Sequence, residues 1–458
     1  MKIDLLVAEI GSTTTVINGF IGLNSPKPKF IGQGQGPTTV YQGDVTVGLE
    51  MALEQLAKSL GENKIDYTEM FATSSAAGGL KMTVHGLVYD MTVKAAKEAA
   101  LGAGAVIKDI TAGPLKEDDL QRIVDIKPNI VLLAGGVDYG EEEIVFANAK
   151  KLASLPLDLP FVYGGNIKLA PKVEKLFKEK GKKIVLIENV YPKIDELNIL
   201  PAREIIQQLF EEHITKGPGM EKIRQMVTGT IIPTPGAVMK GAIALSDEIG
   251  DLVVVDVGGA TTDVHSVTDG SEELNRYLIA PEPREKRTVE GDLGVYVNSE
   301  NIINLMGKEK FSKFVGIDLE ELNSLIKPIP ITAKEKRVSE GLTELAVETA
   351  IKRHTGVLKV LYGPSGRYKI VEGKDLTGVN WVIGTGGALT RLERGQEILE
   401  KVIKGNNILK GNIKGELLLP GEKAKVLIDR HYNMAVLGAM GVKYLKESVL
   451  LMRESLQV

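Results

Sequence analysis

The hydrophobic pattern changes period within the first sixty residues. Residues 5–10, 16–21 and 30–33 run apolar or alternate between turn signals and predict a three-stranded meander. Asp44 then stands where a helix would be capped, Val47, Met51, Leu53 and Leu56 predict the helix's apolar side, and Gly61 its stop. From about residue 82 to 189 strand and helix signals alternate. Strands are expected at 83–87, 106–110, 130–133, 161–163 and 184–187, and helices at 95–103, 118–124, 141–155 and 171–180. Such alternation calls for a parallel sheet covered on both faces, so this stretch reads as an inserted α/β module. A linker is expected around 216–219. Beyond it, Pro235 suits a first helical turn, and Ala237, Gly241 and Ala244 form a stripe poor in side chains. Ala435, Gly438 and Val442 offer a second stripe near the C-terminus, so two helices are expected to cross closely.

Two of the strand pairs carry the same chemistry. Ala8-Glu9-Ile10-Gly11-Ser12-Thr13-Thr14-Thr15-Val16 returns downstream as Val255-Asp256-Val257-Gly258-Gly259-Ala260-Thr261-Thr262-Asp263-Val264. Glu9 aligns with Asp256, Gly11 with Gly258, and Thr14 and Thr15 with Thr261 and Thr262. Each copy reads as two strands joined by a tight turn whose backbone N–H groups and hydroxyls suit a phosphate, with a carboxylate ahead of it that suits magnesium. Turn propensity explains one Gly- and Thr-rich loop. It does not ask for an acid at the same place before both. A third glycine loop, Gly384-Thr385-Gly386-Gly387, follows the apolar strand Trp381-Val382-Ile383.

Phosphoryl chemistry needs positioning and charge neutralisation more than covalent help, and these loops can supply both. Ser12, Thr13, Thr14 and the backbone from Gly11 are expected to hold β- and γ-phosphates from one side, and Gly258, Gly259, Ala260, Thr261 and Thr262 from the other. Gly384, Gly386 and Gly387 would let backbone lie flat against adenosine. Asp256, with Glu9, is the candidate for magnesium, acting through water. Asp263 either orients an attacking water or is a strand-register carboxylate bonded to the turn. Gly102-Ala103-Gly104 ends a helix and lacks the third glycine of a dinucleotide fingerprint, and no Walker-type loop occurs. The glycine pairs 135–136 and 164–165 read as strand-to-helix turns, and residues 287–294 as a charged loop.

Composition narrows the classes. A chain of 458 residues exceeds one core and suggests several domains. A formal net charge of −4 argues against nucleic acid as the main partner. Without cysteine there is no disulfide, thiolate nucleophile or Cys-bound metal. No apolar run is long enough for a bilayer, and Met1-Lys2-Ile3-Asp4 leads into a strand without a signal-peptide pattern, so the cytoplasm is the expected compartment.

In order, acid-loop, acid-loop and Gly-Gly loop resemble the nucleotide site of the superfamily of actin, the large heat-shock chaperones, and the acetate and sugar kinases. The resemblance implies an α/β fold of two ribonuclease H-like halves with the inserted parallel-sheet module. The first half is then 1–81, completed by 431–458, the module 82–215, and the connecting helix and second half 216–430. The segments 74–82, 132–138, 255–267 and 287–294 are further similar to the glutamate mutase accessory protein family, called MutL or GlmL. That resemblance implies an ATP- and Mg2+-dependent reactivating chaperone for an adenosylcobalamin-dependent glutamate mutase or aminomutase, touching adenosylcobalamin only through that partner. Partner recognition would fall to the module, and a homo-oligomer is compatible with it. One residue departs from the superfamily, since Glu9 stands where Asp is usual. The extra methylene moves the carboxylate by about 1.5 Å, which bears on hydrolysis more than on binding. A small-molecule kinase of the same fold and a non-catalytic ATP-binding assembly factor are the alternatives.

Overall fold

A computed structural model of the chain describes residues 2–11, 14–39, 44–75, 80–103, 105–214, 220–229, 231–363, 366–405 and 415–458. Two compact units emerge, one of residues 1–38, 48–71 and 237–458, the other of residues 39–47 and 72–236. The expected meander forms. β1 (Lys2–Ile10), β2 (Thr14–Ile21) and β3 (Lys29–Pro37) are antiparallel neighbours. Helix α1 (Thr46–Ser59) follows, but its buried face is only in part the one the pattern suggested. Val47 and Met51 are exposed, whereas Leu49, Ala52 and Leu56 are buried. The cause lies in β3, where side chains at Gly34 and Gly36 would run into the carbonyls of Ala52 and Gly48. The helix backbone rests on two glycines, which selects the face carrying Gly48 and Ala52. β4 (Asp66–Ser74) then borders β1, giving the order β4-β1-β2-β3.

The second unit is built on β5 (Leu80–Gly86), followed by a π-helical turn (Tyr89–Val93), α2 (Lys94–Gly102), β6 (Ala105–Ala112) and α3 (Glu117–Ile126). β7 (Ile130–Leu133), α4 (Glu143–Ala153), β8 (Phe161–Tyr163), α5 (Ala170–Glu179) and β9 (Ile184–Leu186) complete the alternation. Every strand pair is parallel, in the order β6-β5-β7-β8-β9. Val131, Leu133, Leu152, Phe161 and Phe177 lie in its core. Glu141 accepts hydrogen bonds from the amides of Ile144 and Val145, the N-terminal use expected of acids there. The unit runs wider than residues 82–215. After α6 (Leu200–Ile214) it adds, beyond residue 215, α7 (Met220–Met226) and β10 (Ile231–Pro233), which lies parallel to Ala72–Ser74. The expected linker at 216–219 is outside the described residues.

The first unit resumes with α8 (Thr234–Ile249), β11 (Leu252–Val257), β12 (Thr262–Val267), α9 (Glu272–Asn275) and β13 (Glu285–Glu290). Next come α10 (Ser299–Met306), α11 (Lys308–Val315), α12 (Ala333–His354), β14 (Val357–Gly363) and β15 (Gly366–Glu372). β16 (Trp381–Thr385), α13 (Gly387–Thr390), α14 (Gly395–Ile403), β17 (Glu416–Leu417), β18 (Lys425–Ile428), α15 (Met434–Met440) and α16 (Leu445–Leu456) end the chain. The sheet order β13-β12-β11-β16-β18 begins as the first sheet does, third-second-first-fourth. β14, β15 and β17 make a small separate sheet.

The two small-residue stripes meet. A side chain on Gly438 of α15 would run into the carbonyl of Ala237 on α8, and one on Gly241 would lie 3.2 Å from the carbonyl of Met434. Val442 does not take part, because α15 ends at Met440 and leaves it exposed. Among the described residues no helix is long and apolar enough to cross a membrane.

Candidate functional site

The two acid-loops close on the same bond. Gly11 N–H donates to the carbonyl of Thr14 and Gly258 N–H to that of Thr261, each at 2.9 Å. Glu9 and Asp256 precede these glycines by two residues on β1 and β11, opposite Val16 and Asp263. Ser12 and Thr13 lie outside the described residues. Around the second loop the carbonyls of Gly258 and Gly259 accept from the amides of Val295, Tyr296 and Val297. Because a trans peptide points its N–H opposite to its C=O, the amides of Gly259 and Ala260 are aimed away from that segment. Gly258 and Gly259 line a cleft of about 200 Å³, together with Thr14, Gln35, Gly387, Arg391 and Tyr432. Val295, Tyr296, Ile329, Leu392 and the two prolines 328 and 330 also line it.

The third loop's glycines divide their tasks. Gly384 is fixed by packing, since a Cβ there would crowd Leu399 and Ile428. Gly386 has φ +83°, and a Cβ would strike the carbonyl of Val257 and come within 2.5 Å of Asp256 Oδ1. Only Gly387 faces open space, with no atom of another element within 4 Å of the point a Cβ would occupy.

The carboxylates are crowded and short of compensation. Burial pushes the Glu9 carboxyl up to about 8, with the Asp256 charge adding to it. Burial likewise raises Asp256 to about 7, with Asp263 adding and Arg287 opposing. Asp263 is buried beside the fully buried Arg287, whose Nη2 donates to Oδ2 at 3.2 Å. The partner of Asp263 is therefore on β13, outside the hairpin and its turn. Thr262 is similarly engaged, its hydroxyl donating to the carbonyl of Leu293 at 2.7 Å.

Sequence reasoning missed several residues here. Tyr432, at φ +48°, donates its hydroxyl to Glu9 Oε1 at 3.3 Å and lies under the Arg391 guanidinium at 5.5 Å. Arg391 also donates to Gln33, at 3.2 Å, and to Gln35 of β3. Asp429 organises the approach, with Oδ2 accepting from Thr385 Oγ1 and from the amides of Asn433 and Met434, and Oδ1 from Ser455. Its signal was an acid at the end of an apolar strand, as at Glu9 and Asp256. Residues 287–294 prove to be β13 and a buttress. A Cβ on Gly294 would collide with Ala260, and Asn298 donates to the Ala260 carbonyl at 2.8 Å.

Two sheets with the same opening order, each with an acid two residues ahead of a glycine turn, define an actin-like ATPase fold. The chain belongs to the MutL protein family, whose model matches residues 5–456. Protein MutL of Clostridium tetanomorphum is 39% identical over 377 residues, covering 79% of this chain and 82% of that one. Among solved structures, a diol dehydratase-reactivating factor in nucleotide-free form is 11% identical, covers 97% of this chain and 100% of its own, and gives a TM-score of 0.36. A glycerol dehydratase reactivase is 10% identical, covers 95% and 100%, and gives 0.34.

Proposed function

We propose that this protein binds Mg-ATP in the cleft of its first unit and hydrolyses it while serving as accessory and reactivating chaperone to an adenosylcobalamin-dependent mutase of the glutamate mutase or aminomutase type. The observation that carries the nucleotide reading is the pair of hairpin turns closed by the same bond, each two residues beyond a carboxylate, Glu9 buried and Asp256 partly buried. The residues fit the group. Glu9 and Asp256 form an acidic pair only partly offset by Tyr432, Arg391 and Arg287, which a cation would relieve, and the amides of Gly259 and Ala260 suit phosphate oxygens. Asp256 would hold magnesium through its water shell, with Glu9 beside it. When bound, the ion supplies charge neutralisation on the phosphates. Gly11, Thr14, Gly258, Gly259, Ala260 and Thr261 would take the phosphates, and Ser12 and Thr13 belong to the same proposal. Gly387 leaves room for the nucleotide, and the wall of Val295, Ile329 and Leu392 suits a flat base. Tyr432 holds Glu9 in place. Asp263 acts through Arg287 and Asp256 rather than on water. The family supports the accessory role, with a cytoplasmic mutase as partner and adenosylcobalamin reached only through it.

Calorimetry with MgATP, followed by phosphate release with and without the mutase, tests the reading. Binding with mutase-stimulated release supports it. Binding without any release would make ATP a structural ligand, and no binding in the presence of magnesium would remove the nucleotide site.

A further inference from the structure

In the module's order β6-β5-β7-β8-β9 the chain reverses its direction of travel across the sheet at β5. In open α/β sheets the end where strands finish, at such a reversal, is where ligands bind. Among the described residues of this unit seven large apolar side chains are exposed, and all but Val47 are at that end. Val88 and Tyr89 follow β5, Tyr139 follows β7, Ile167 follows β8, and Ile194 and Leu200 follow β9. Tyr139 and Ile194 are 77% and 71% exposed. Scattered exposed apolar residues need no explanation, but a set confined to one edge does.

The edge is also built to be rigid. Asp138 Oδ1 accepts from Asn189 Nδ2 and from the amide of Ile167, both at 2.9 Å, and the Asp138 amide donates to the Pro192 carbonyl. Buried Asn166 accepts from the Tyr139 amide and donates to the carbonyls of Gly140 and Glu141. Three loops are thereby pinned together, with apolar tips left facing outward. Tyr139 is held at φ +61°, a left-handed conformation that is strained for a bulky residue and persists only where surroundings impose it. The same loops are acidic. Residues 87–90, 134–142, 164–168 and 187–200 hold seven carboxylates and two lysines, a larger negative excess than the whole chain's −4.

We propose that this end of the module is the docking surface for the partner enzyme, and that the partner presents an apolar patch ringed by lysines and arginines. The proposal rests on the accessory reading for the existence of a partner and adds the surface. Pre-ordered loops lose little freedom on binding, so apolar tips on a pinned edge are well suited to anchor a complex. The acidic rim sets orientation and speeds encounter.

The test uses the full chain and the purified adenosylcobalamin-dependent mutase of its source cells. Tyr139→Asn with Ile194→Ser removes two exposed anchors, and Asn tolerates the left-handed backbone. Asp90→Lys with Glu196→Lys reverses rim charge. The expected result is a wild-type complex that weakens as salt rises, an anchor variant at least thirtyfold weaker, and a charge variant roughly tenfold weaker with a flatter salt dependence. Melting temperature and MgATP affinity should match wild type in both, which separates lost docking from lost folding. Equal mutase affinity in both variants would overturn the surface while leaving the accessory reading intact. A wild-type protein that binds no mutase would overturn that reading itself. A dimer of the chain alone that the anchor variant dissociates would make this edge a self-association face and overturn the proposal.

Discussion

Glu9→Gln should stabilise the metal-free protein, by an amount that grows with pH. The substitution keeps size and the acceptor for Tyr432 but removes a charge that is 7% exposed. The folded carboxyl sits at about 8 against an ordinary 4.5. A folded pKa above the unfolded one means that the neutral acid is tolerated while the anion is penalised. Stability is therefore full below pH 4.5 and is lost progressively as pH rises towards 8. Integrating between those limits, the penalty is about 1 kcal/mol at pH 5.5 and on the order of 4 kcal/mol at pH 8. The second figure is an upper bound, because part of the shift comes from Asp256, which is itself raised. Urea unfolding of wild type and variant in EDTA, at several pH values, reads the difference directly. The gap should widen from pH 5.5 to 8 in favour of Gln, and magnesium should narrow it by neutralising the pair. Parallel stability curves, or a variant less stable than wild type at pH 8, would refute the argument.

Asp256→Asn should preserve the fold and lose most magnesium-dependent ATP affinity and hydrolysis, measured by calorimetry and phosphate release, since a neutral amide cannot help hold the cation. Gly387→Val should lower ATP affinity at unchanged melting temperature because a side chain there enters only the cleft. Gly386→Ala should instead lower the melting temperature, since its Cβ meets β11 and its φ is +83°. Gly438→Ala should destabilise by about 3 kcal/mol in urea unfolding, as the added methyl lands on the Ala237 carbonyl where α8 and α15 cross.

The repeat was legible because both hairpins need the same three things in fixed order: an apolar strand, an acid and a glycine turn. The module was legible because each strand lies between turn residues and each helix carries enough period to separate it. Residues 284–370 were harder for a physical reason. α12 is buried on nearly every side and still carries Glu340, Glu344 and Glu348 inward, so no apolar stripe marks it. Those acids are held by partners remote in sequence or a turn away, as Glu344 by Lys401 and Glu348 by Lys352. Its start was readable in principle, since Thr332 and Glu335 form a capping box. Tyr432 could not be found from pattern. Its role depends on a left-handed turn that brings it to Glu9, 423 positions away in the chain. The face of α1 was partly misjudged because the decisive contact is made by glycines on β3, which carry no hydrophobic signal.

On the proposed function, ATP turnover in this cleft restores a cobalamin enzyme. The most direct measurement takes an inactivated adenosylcobalamin-dependent mutase from the source cells and follows its activity after adding this protein, MgATP and fresh adenosylcobalamin. Recovery is expected with wild type, repeated recovery only with hydrolysable ATP, and none with Asp256→Asn. A mutase that stays inactive with wild type, or recovers equally without nucleotide, would contradict it.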